Sequence, residues 1–407
     1  MTTIQQIRVR DARFQLSGGA GADAVHHTPQ YAYAVALLGS DGPHEGSGLA
    51  FTLGGGTDLV CRAIEALAAP LIGREIEALM AEFGRVFFTL AEHHQYRWLG
   101  PHKGVVHLAL AAITNACFDL WAKARGVPLW QLLLDLTPAQ LVALLDLSYL
   151  EDLLTPAAVI ALLEREQPGR AARASLLARG YPGYDTSVGW FQYSDEQIRA
   201  NAGRALAQGF DAIKLKVGSH DMARDIRRAH LVREVVGPAV RIMLDANQQW
   251  SLPAAHAACQ ALAGMEPFWI EEPTHPDDIL GHRTLAQAIA PLRLAAGEHL
   301  PNRIVFKSYL QADAAYYMQA DCVRIGGVSE FLTVSLLARL FARPIVPHVG
   351  DMGQIHQHLV LFNHIALGHE VLFLEYIPHL RERFVHPAHV ADGVYHTPHE
   401  PGSSSDL

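Results

Sequence analysis

The chain has 407 residues, half of them hydrophobic and 18% charged, a balance that excludes a disordered or fibrous polymer and suits one large domain joined to a smaller one. Lys and Arg total 32 against 41 Asp and Glu, a net charge of −9 with no Lys/Arg-rich block, so nucleic acid and anionic membranes are not expected partners.

From the N-terminus, IQQIRVRDARF, YAYAVALLGS and GSGLAFTLG carry strand-like alternation or β-rich runs. TDLVCRAIEALAAPLIG, EIEALMAEFGRVFFTL and KGVVHLALAAITNACFDLWAKA follow with helical periodicity, the last of them stopped by Gly126-Val127-Pro128. Together they predict an α+β unit over residues 1–138. The opening MTTIQQIRVRDARF has no apolar targeting core. The most apolar long stretch, Val105 to Ala122, contains His107, Asn115 and Asp119, so neither export nor membrane insertion is expected. Cys61, Cys117, Cys259 and Cys322 lie far apart with no CxxC pair, which predicts a reducing, cytoplasmic setting and no structural zinc.

Beyond this unit the texture becomes a pulse of short apolar runs, each followed by a helical stretch. The predicted strands are LVALLDL (141–147), AIKLKV (212–217), RIMLDA (241–246), PFWIEE (267–272), LRLAAGE (292–298), DCVRIG (321–326), RPIVPH (343–348) and VLFLEY (371–376). From the second onward they recur about one βα unit apart, which predicts an α/β architecture, a TIM-type parallel (β/α)8 barrel over residues 139–376. The turn-rich PGYDTSVGWFQYS falls in the long gap after the first run and reads as part of an active-site insertion. Residues 377–407 read as a tail packing back on the N-terminal unit, which with it would cap the barrel.

In such a barrel the C-terminal strand ends form the active site. Here they supply Lys214 and Lys216, then Asp245, Glu271 with Glu272, Glu298, Asp321, His348 and Glu375. Any one of these acids could merely cap the next helix. As a set they are harder to explain that way, because neighbouring strands run about 5 Å apart and carboxylates from successive strands would repel unless a cation sat among them. Oxygen donors without Cys or His favour Mg2+ over Zn2+. Strand parity leaves Glu271 and Glu272 equivalent as the middle ligand. Alternation puts Lys214 and Lys216 on one face, where mutual repulsion and a nearby cation are expected to lower their pKa and free an amine as base. His348, oriented by Asp321, suits proton donation on the other side. A base and an acid flanking a metal-bound carboxylate describe proton abstraction next to that carboxylate.

IKLKV, LDANQQW, WIEEPTHPDD, AAGEHLPNR, DCVRIGGVSE and PIVPHVG resemble, in order and spacing, the enolase superfamily, and the KxK with an Asp and a His on later strands is similar to its mandelate racemase subgroup. Enolase-superfamily sites use a Lys or His base with Mg2+ against an ene-diolate. SDGPHEGSGLAFTLGGGTDLV, YRWLGPHKGVVHLAL, DLWAKARGVPLW, YDTSVGW, EEPTHPDDILGH and NRIVFK resemble acid-sugar dehydratases of the L-fuconate and L-galactonate type. The resemblance implies that Asp245, Glu271 and Glu298 bind Mg2+ and that Lys216 takes the C2 proton. It further implies that Lys214 holds the substrate carboxylate, that His348 with Asp321 assists loss of the C3 hydroxyl, and that Glu375 hydrogen-bonds the enediolate. The expected reaction is dehydration of an acid sugar to a 2-keto-3-deoxy acid, with a small-molecule substrate and a homo-oligomeric assembly. The sequence departs from that pattern at Gly55, at Pro301, at Asp351 and after Glu375, where the pocket is expected to differ. Alternative readings are a racemase or epimerase on the same site, a Schiff-base aldolase using Lys214 or Lys216, and a non-catalytic binding protein.

Overall fold

The protein is described by a computed structural model covering residues 1–350 and 352–407. Three strands, β1 (Ile4–Gln15), β2 (Gln30–Ser40) and β3 (Glu45–Thr52), pair antiparallel in the order β1-β2-β3. The Gly104–Arg125 helix packs against β3 at unusually short range, because Gly46 and Gly48 leave room for its backbone. A Cβ at Gly48 would lie 2.0 Å from the Ala112 carbonyl oxygen and 2.3 Å from the Ala116 nitrogen. Gly48→Ala is therefore expected to destabilise the protein by about 3 kcal/mol, the upper end of overpacking costs. Urea unfolding measures this, and an unchanged midpoint would mean that the two elements separate freely.

The same helix ends as its sequence predicts, at a left-handed Gly126 with φ 68°. Among the described residues it is the one helix long and apolar enough to cross a bilayer, and 89% of that stretch is buried inside the protein. The expected helix EIEALMAEFGRVFFTL is split into Ile76–Met80 and Phe83–Ala91.

The larger sheet runs through β4 (Tyr181–Gly189), β5 (Ala212–Lys216), β6 (Arg241–Asp245), β7 (Trp269–Glu271), β8 (Leu294–Ala296) and β9 (Tyr317–Met318), all parallel in chain order. On the far side of β4 lies β10 (Leu374–Tyr376), also parallel. A short hairpin of β11 (Val390–Ala391) and β12 (Val394–Tyr395) adds antiparallel to β4, so the sheet is mixed. One apolar cluster gathers Tyr184, Ala212, Met243, Trp269, Ala295, Tyr317, Val346 and Phe373, which come from every strand of the parallel set and the segments beside them. Helices Met222–Val236, Leu252–Leu262, Ile279–Ala288, Arg303–Ala312 and Val328–Leu340 alternate with these strands.

Three expected strands are corrected. LVALLDL is not a strand: Pro138–Ala143 is a helix whose N-terminus is closed by a capping box, with Thr137 accepting from the Gln140 amide and the Gln140 side chain returning to Thr137. The first parallel strand is instead Tyr181–Gly189, within the segment expected to be an insertion. DCVRIG is a turn that follows β9, held by the Asp321 Oδ1, which accepts from the Val323 amide at 2.9 Å, and by the left-handed Gly326 and Gly327. RPIVPH makes one isolated bridge, Met318 to Ile345, because Pro344 and Pro347 have no N–H to extend a ladder.

The last residues return to the N-terminal unit. Ser403 donates through its amide and hydroxyl to Asp119 at 2.7 and 2.9 Å, and Lys123 reaches Asp406 at 2.8 Å.

Candidate active site

The register across β5, β6 and β7 pairs Lys216 with Asp245 and Asp245 with Glu271, so three ionisable side chains stand in one row at the strands' C-terminal ends. Oxygens of Asp245, Glu271 and Glu298 lie within 4.8 Å of one another. Helix capping does not account for them. The helices after β5, β6, β7 and β8 are capped by Asp221, Ser251, Asp278 and Asn302, each of which accepts from a first-turn amide. Three acids are thus left facing one another, a donor set that fits a hard divalent cation.

Lys214 Nζ lies 2.8 Å from Glu271, 2.6 Å from Glu375 and 3.7 Å from Asp245. Lys216 Nζ lies 2.5 Å from Asp245. Burial alone would lower both ammonium pKa values, but Glu271 and Glu375 hold Lys214 well above the ordinary value and Asp245 holds Lys216 above it. The facing carboxylates outweigh the mutual repulsion of the two lysines, and the expected lowering depends on a cation that offsets those carboxylates. Burial also pushes on the acids. Glu271, desolvated and beside Asp245, rises to about 8, whereas Asp245 overcomes its desolvation through Lys216 and Lys214 and falls to about 2.

Across the trio from Lys216, His348 Nδ1 lies 2.6 Å from Asp321 Oδ2 and His348 Nε2 lies 3.4 Å from Glu298. Against burial, Glu298 first and Asp321 second raise His348 to about 9. Asp321 is held below the carboxylate range, despite desolvation, by hydrogen bonds from His348 and His356. Glu375 accepts from Thr186 Oγ1 at 2.6 Å and from the Val349 amide at 3.1 Å. Lys214 and His348 keep it below its ordinary value against the cost of burial. All eight residues singled out from the sequence therefore meet, with Glu271 in the trio, while Glu272, at φ 40°, accepts from Gln248 and forms with Glu298 and His299 a second cluster whose ligand atoms also lie within 4.8 Å of one another.

Lys216, Glu298, His348 and Glu375 border a cavity of about 230 Å³. A cavity of about 460 Å³ elsewhere is lined by Cys259, Pro267, Leu292 and their neighbours near the strands' N-terminal ends, and Glu266 is its one charged side chain. Chemistry belongs to the smaller. Its lining also takes in Asp23, His26 and Tyr31, from the loop between β1 and β2 and the start of β2, which the sequence does not single out, together with Trp190 and Ile377. His26 Nδ1 lies 3.0 Å from Asp23, and Trp190 donates to His379 at 2.7 Å. The loop GADAVHH has no periodicity to reveal it, whereas Trp190 ends the quoted YDTSVGW. Of the expected departures, Gly55 faces open space, a Cβ there meeting nothing within 4 Å. The segment after Glu375 contributes Ile377 to the wall. Asp351 lies outside the described residues.

A buried row of acids at parallel strand ends, with paired lysines on one side and a His–Asp pair on the other, is the arrangement of an enolase-type site. The chain belongs to the enolase superfamily: residues 197–407 match the family model described as "Enolase C-terminal domain-like". It is 41% identical over 414 residues to mitochondrial enolase superfamily member 1 of Homo sapiens, covering 99% of this chain and 93% of that one. The crystal structure of that human protein superposes with a TM-score of 0.97, covering 100% of this chain and 94% of the other. L-galactonate dehydratase of Hypocrea jecorina is 39% identical over 414 residues, covering 100% of this chain and 92% of its own. L-Talarate dehydratase from Polaromonas sp. JS666, complexed with Mg and L-glucarate, superposes with a TM-score of 0.77 at 25% identity, covering 100% and 95% of the two chains.

Proposed function

We propose that the protein dehydrates an acid sugar, an aldonate of the L-galactonate or L-fuconate type, to a 2-keto-3-deoxy acid in a Mg2+-dependent reaction. The observation that carries this is the trio of Asp245, Glu271 and Glu298, with Lys216 against one end and the His348–Asp321 pair against the other. The named dehydratases among the relatives support it. In this reading the parallel strands close into a (β/α)8 barrel, supported by the apolar cluster drawn from all of them. Residues 1–138 and 377–407 then form the cap. The free thiols of Cys61, Cys117 and Cys259 fit a reducing cytoplasm.

Asp245, Glu271 and Glu298 would hold Mg2+, which supplies positive charge to stabilise the negative charge developing on the substrate carboxylate. Lys214 binds that carboxylate. The Lys216 amine removes the proton from C2, and the C–H electron pair moves toward the carboxylate to give an enediolate, which Glu375 hydrogen-bonds once its carboxyl carries a proton, because the ionised form only accepts. For Lys216 to act as base its ammonium must lose a proton, and neutralising the Asp245 charge that holds it is the step that lowers its pKa. His348 then gives its proton to the C3 hydroxyl, which leaves as water while the electron pair closes the C2–C3 double bond. The enol tautomerises to the 2-keto product. Asp321 keeps the imidazole oriented and charged.

The test is a panel of six-carbon aldonates and aldarates assayed for 2-keto acid with Mg2+ and with EDTA. Turnover that EDTA abolishes is expected. No keto acid from any member sinks the dehydratase reading. A racemase has the same two flanking groups behind it, and it would instead wash solvent deuterium into both epimers without making keto acid.

A further inference from the structure

His299 follows directly on Glu298 and takes no part in the mechanism above. Its ring lines the same cavity as Lys216 and His348, and its side chain is 29% exposed, enough to be reached from that space. Nδ1 faces the two Glu272 oxygens at 2.9 and 3.1 Å and donates to that carboxylate; Gln248 Nε2 stands 2.6 Å away and, being itself a donor, braces the ring through Glu272 and not through Nδ1. Gln248 donates to Glu272 at 2.8 Å. Glu272 reaches this position because its left-handed backbone, φ 40°, carries it out of the strand alternation that aims Glu271 at Lys214. Gln248 is likewise left-handed, at φ 65°. Two strained loop residues therefore brace one imidazole. Nε2, the ring's other polar atom, has no protein partner among the described residues.

We propose that His299 is a substrate-binding residue whose Nε2 hydrogen-bonds a hydroxyl of the sugar chain beyond C3, with Glu272 and Gln248 as its positioning residues. A hydroxyl both donates and accepts, so it pairs with Nε2 in either tautomer. His299 stands on the Glu298 side of the trio, with Glu298 Oε1 3.4 Å from its Nδ1, as His348 does with Oε2, also at 3.4 Å. The two imidazoles thus flank one carboxylate, His348 for the leaving hydroxyl and His299 for the chain that follows. This rests on the acid-sugar reading of the site.

The experiment compares the parent enzyme, His299→Asn and His299→Gln with Mg2+, using L-galactonate and its 4-deoxy, 5-deoxy and 6-deoxy (L-fuconate) forms. Asn can keep the bond to Glu272 but cannot reach the Nε2 position, whereas Gln reaches it. His299→Asn is expected to raise KM for L-galactonate about 10-fold, with Mg2+ affinity within about twofold of the parent and partial recovery in His299→Gln. For the one deoxy form that lacks the contacted hydroxyl, parent and His299→Asn should have equal KM. A KM rise that is the same for all four acids makes the role structural and overturns the assignment, as does an unchanged KM for L-galactonate. If the parent itself neither binds nor turns over any of the four, the acid-sugar reading has failed, and the assignment falls with it for that separately visible reason.

Discussion

Glu298→Gln is expected to weaken Mg2+ binding by at least about 100-fold and to reduce turnover at saturating sugar acid by about 10³-fold, with the fold intact. Substitutions outside the ligand shell of a metal already cost 10- to 100-fold, and this one neutralises a carboxylate that is itself a candidate ligand. Volume is preserved, so no cavity opens. Asn302, which caps the following helix, is untouched. The substitution also removes the charge facing His348 at 3.4 Å, so the imidazole loses its strongest support as an acid in the same step. Calorimetric Mg2+ titration of parent and variant measures the first effect, and circular dichroism checks the fold. A variant that binds Mg2+ like the parent would leave Glu298 as no more than an ion-pair partner of the two histidines, and the cation would have to be held by Asp245 and Glu271 without it.

The residues that could be read from the sequence share a physical property. Strands β5 to β8 are buried on both faces, so they appear as short apolar runs, and a polar residue that ends such a run has no place to go but the strand's C-terminal mouth. Lys214, Lys216, Asp245 and Glu271 follow from that. The strand that escapes notice, Tyr181–Gly189, has the opposite character: its interior face carries Thr186 toward Glu375, and Pro182, Gly183 and Asp185 suppress any local strand signal. Pairing with β5 on one side and β10 on the other makes it a strand. LVALLDL misleads for a complementary reason, since a short apolar run fits a helix as well as a strand. The Thr137-Pro138-Ala139-Gln140 capping box is the local signal that decides it. Asp23, His26 and Tyr31 were illegible because their role depends on how one loop of the N-terminal unit falls across a distant sheet, which no periodicity encodes.

The second large effect separates the two proton-transfer groups. Lys216→Ala is expected to lose both exchange of the C2 proton with solvent and dehydration, each by about 10²- to 10⁴-fold, the range a positioned acid or base contributes. Lys214, the one other amine in that row, is tied to Glu271 and Glu375 and cannot substitute without giving up both. His348→Asn should behave differently. The amide can still donate to Asp321, so that carboxylate is not left buried without a partner, but the Nε2 proton that assists the departing hydroxyl is gone. The C2 proton can still be taken by Lys216 and returned. Exchange should therefore persist while keto acid falls by a similar factor, provided the enediolate is reprotonated faster than it eliminates. Incubation of each variant with sugar acid in D2O, followed by proton NMR, reads both quantities in one sample. Exchange that survives in Lys216→Ala and disappears in His348→Asn would reverse the roles. The substrate's C2 proton would then face the imidazole, and the acid turned over would have the opposite configuration at that carbon.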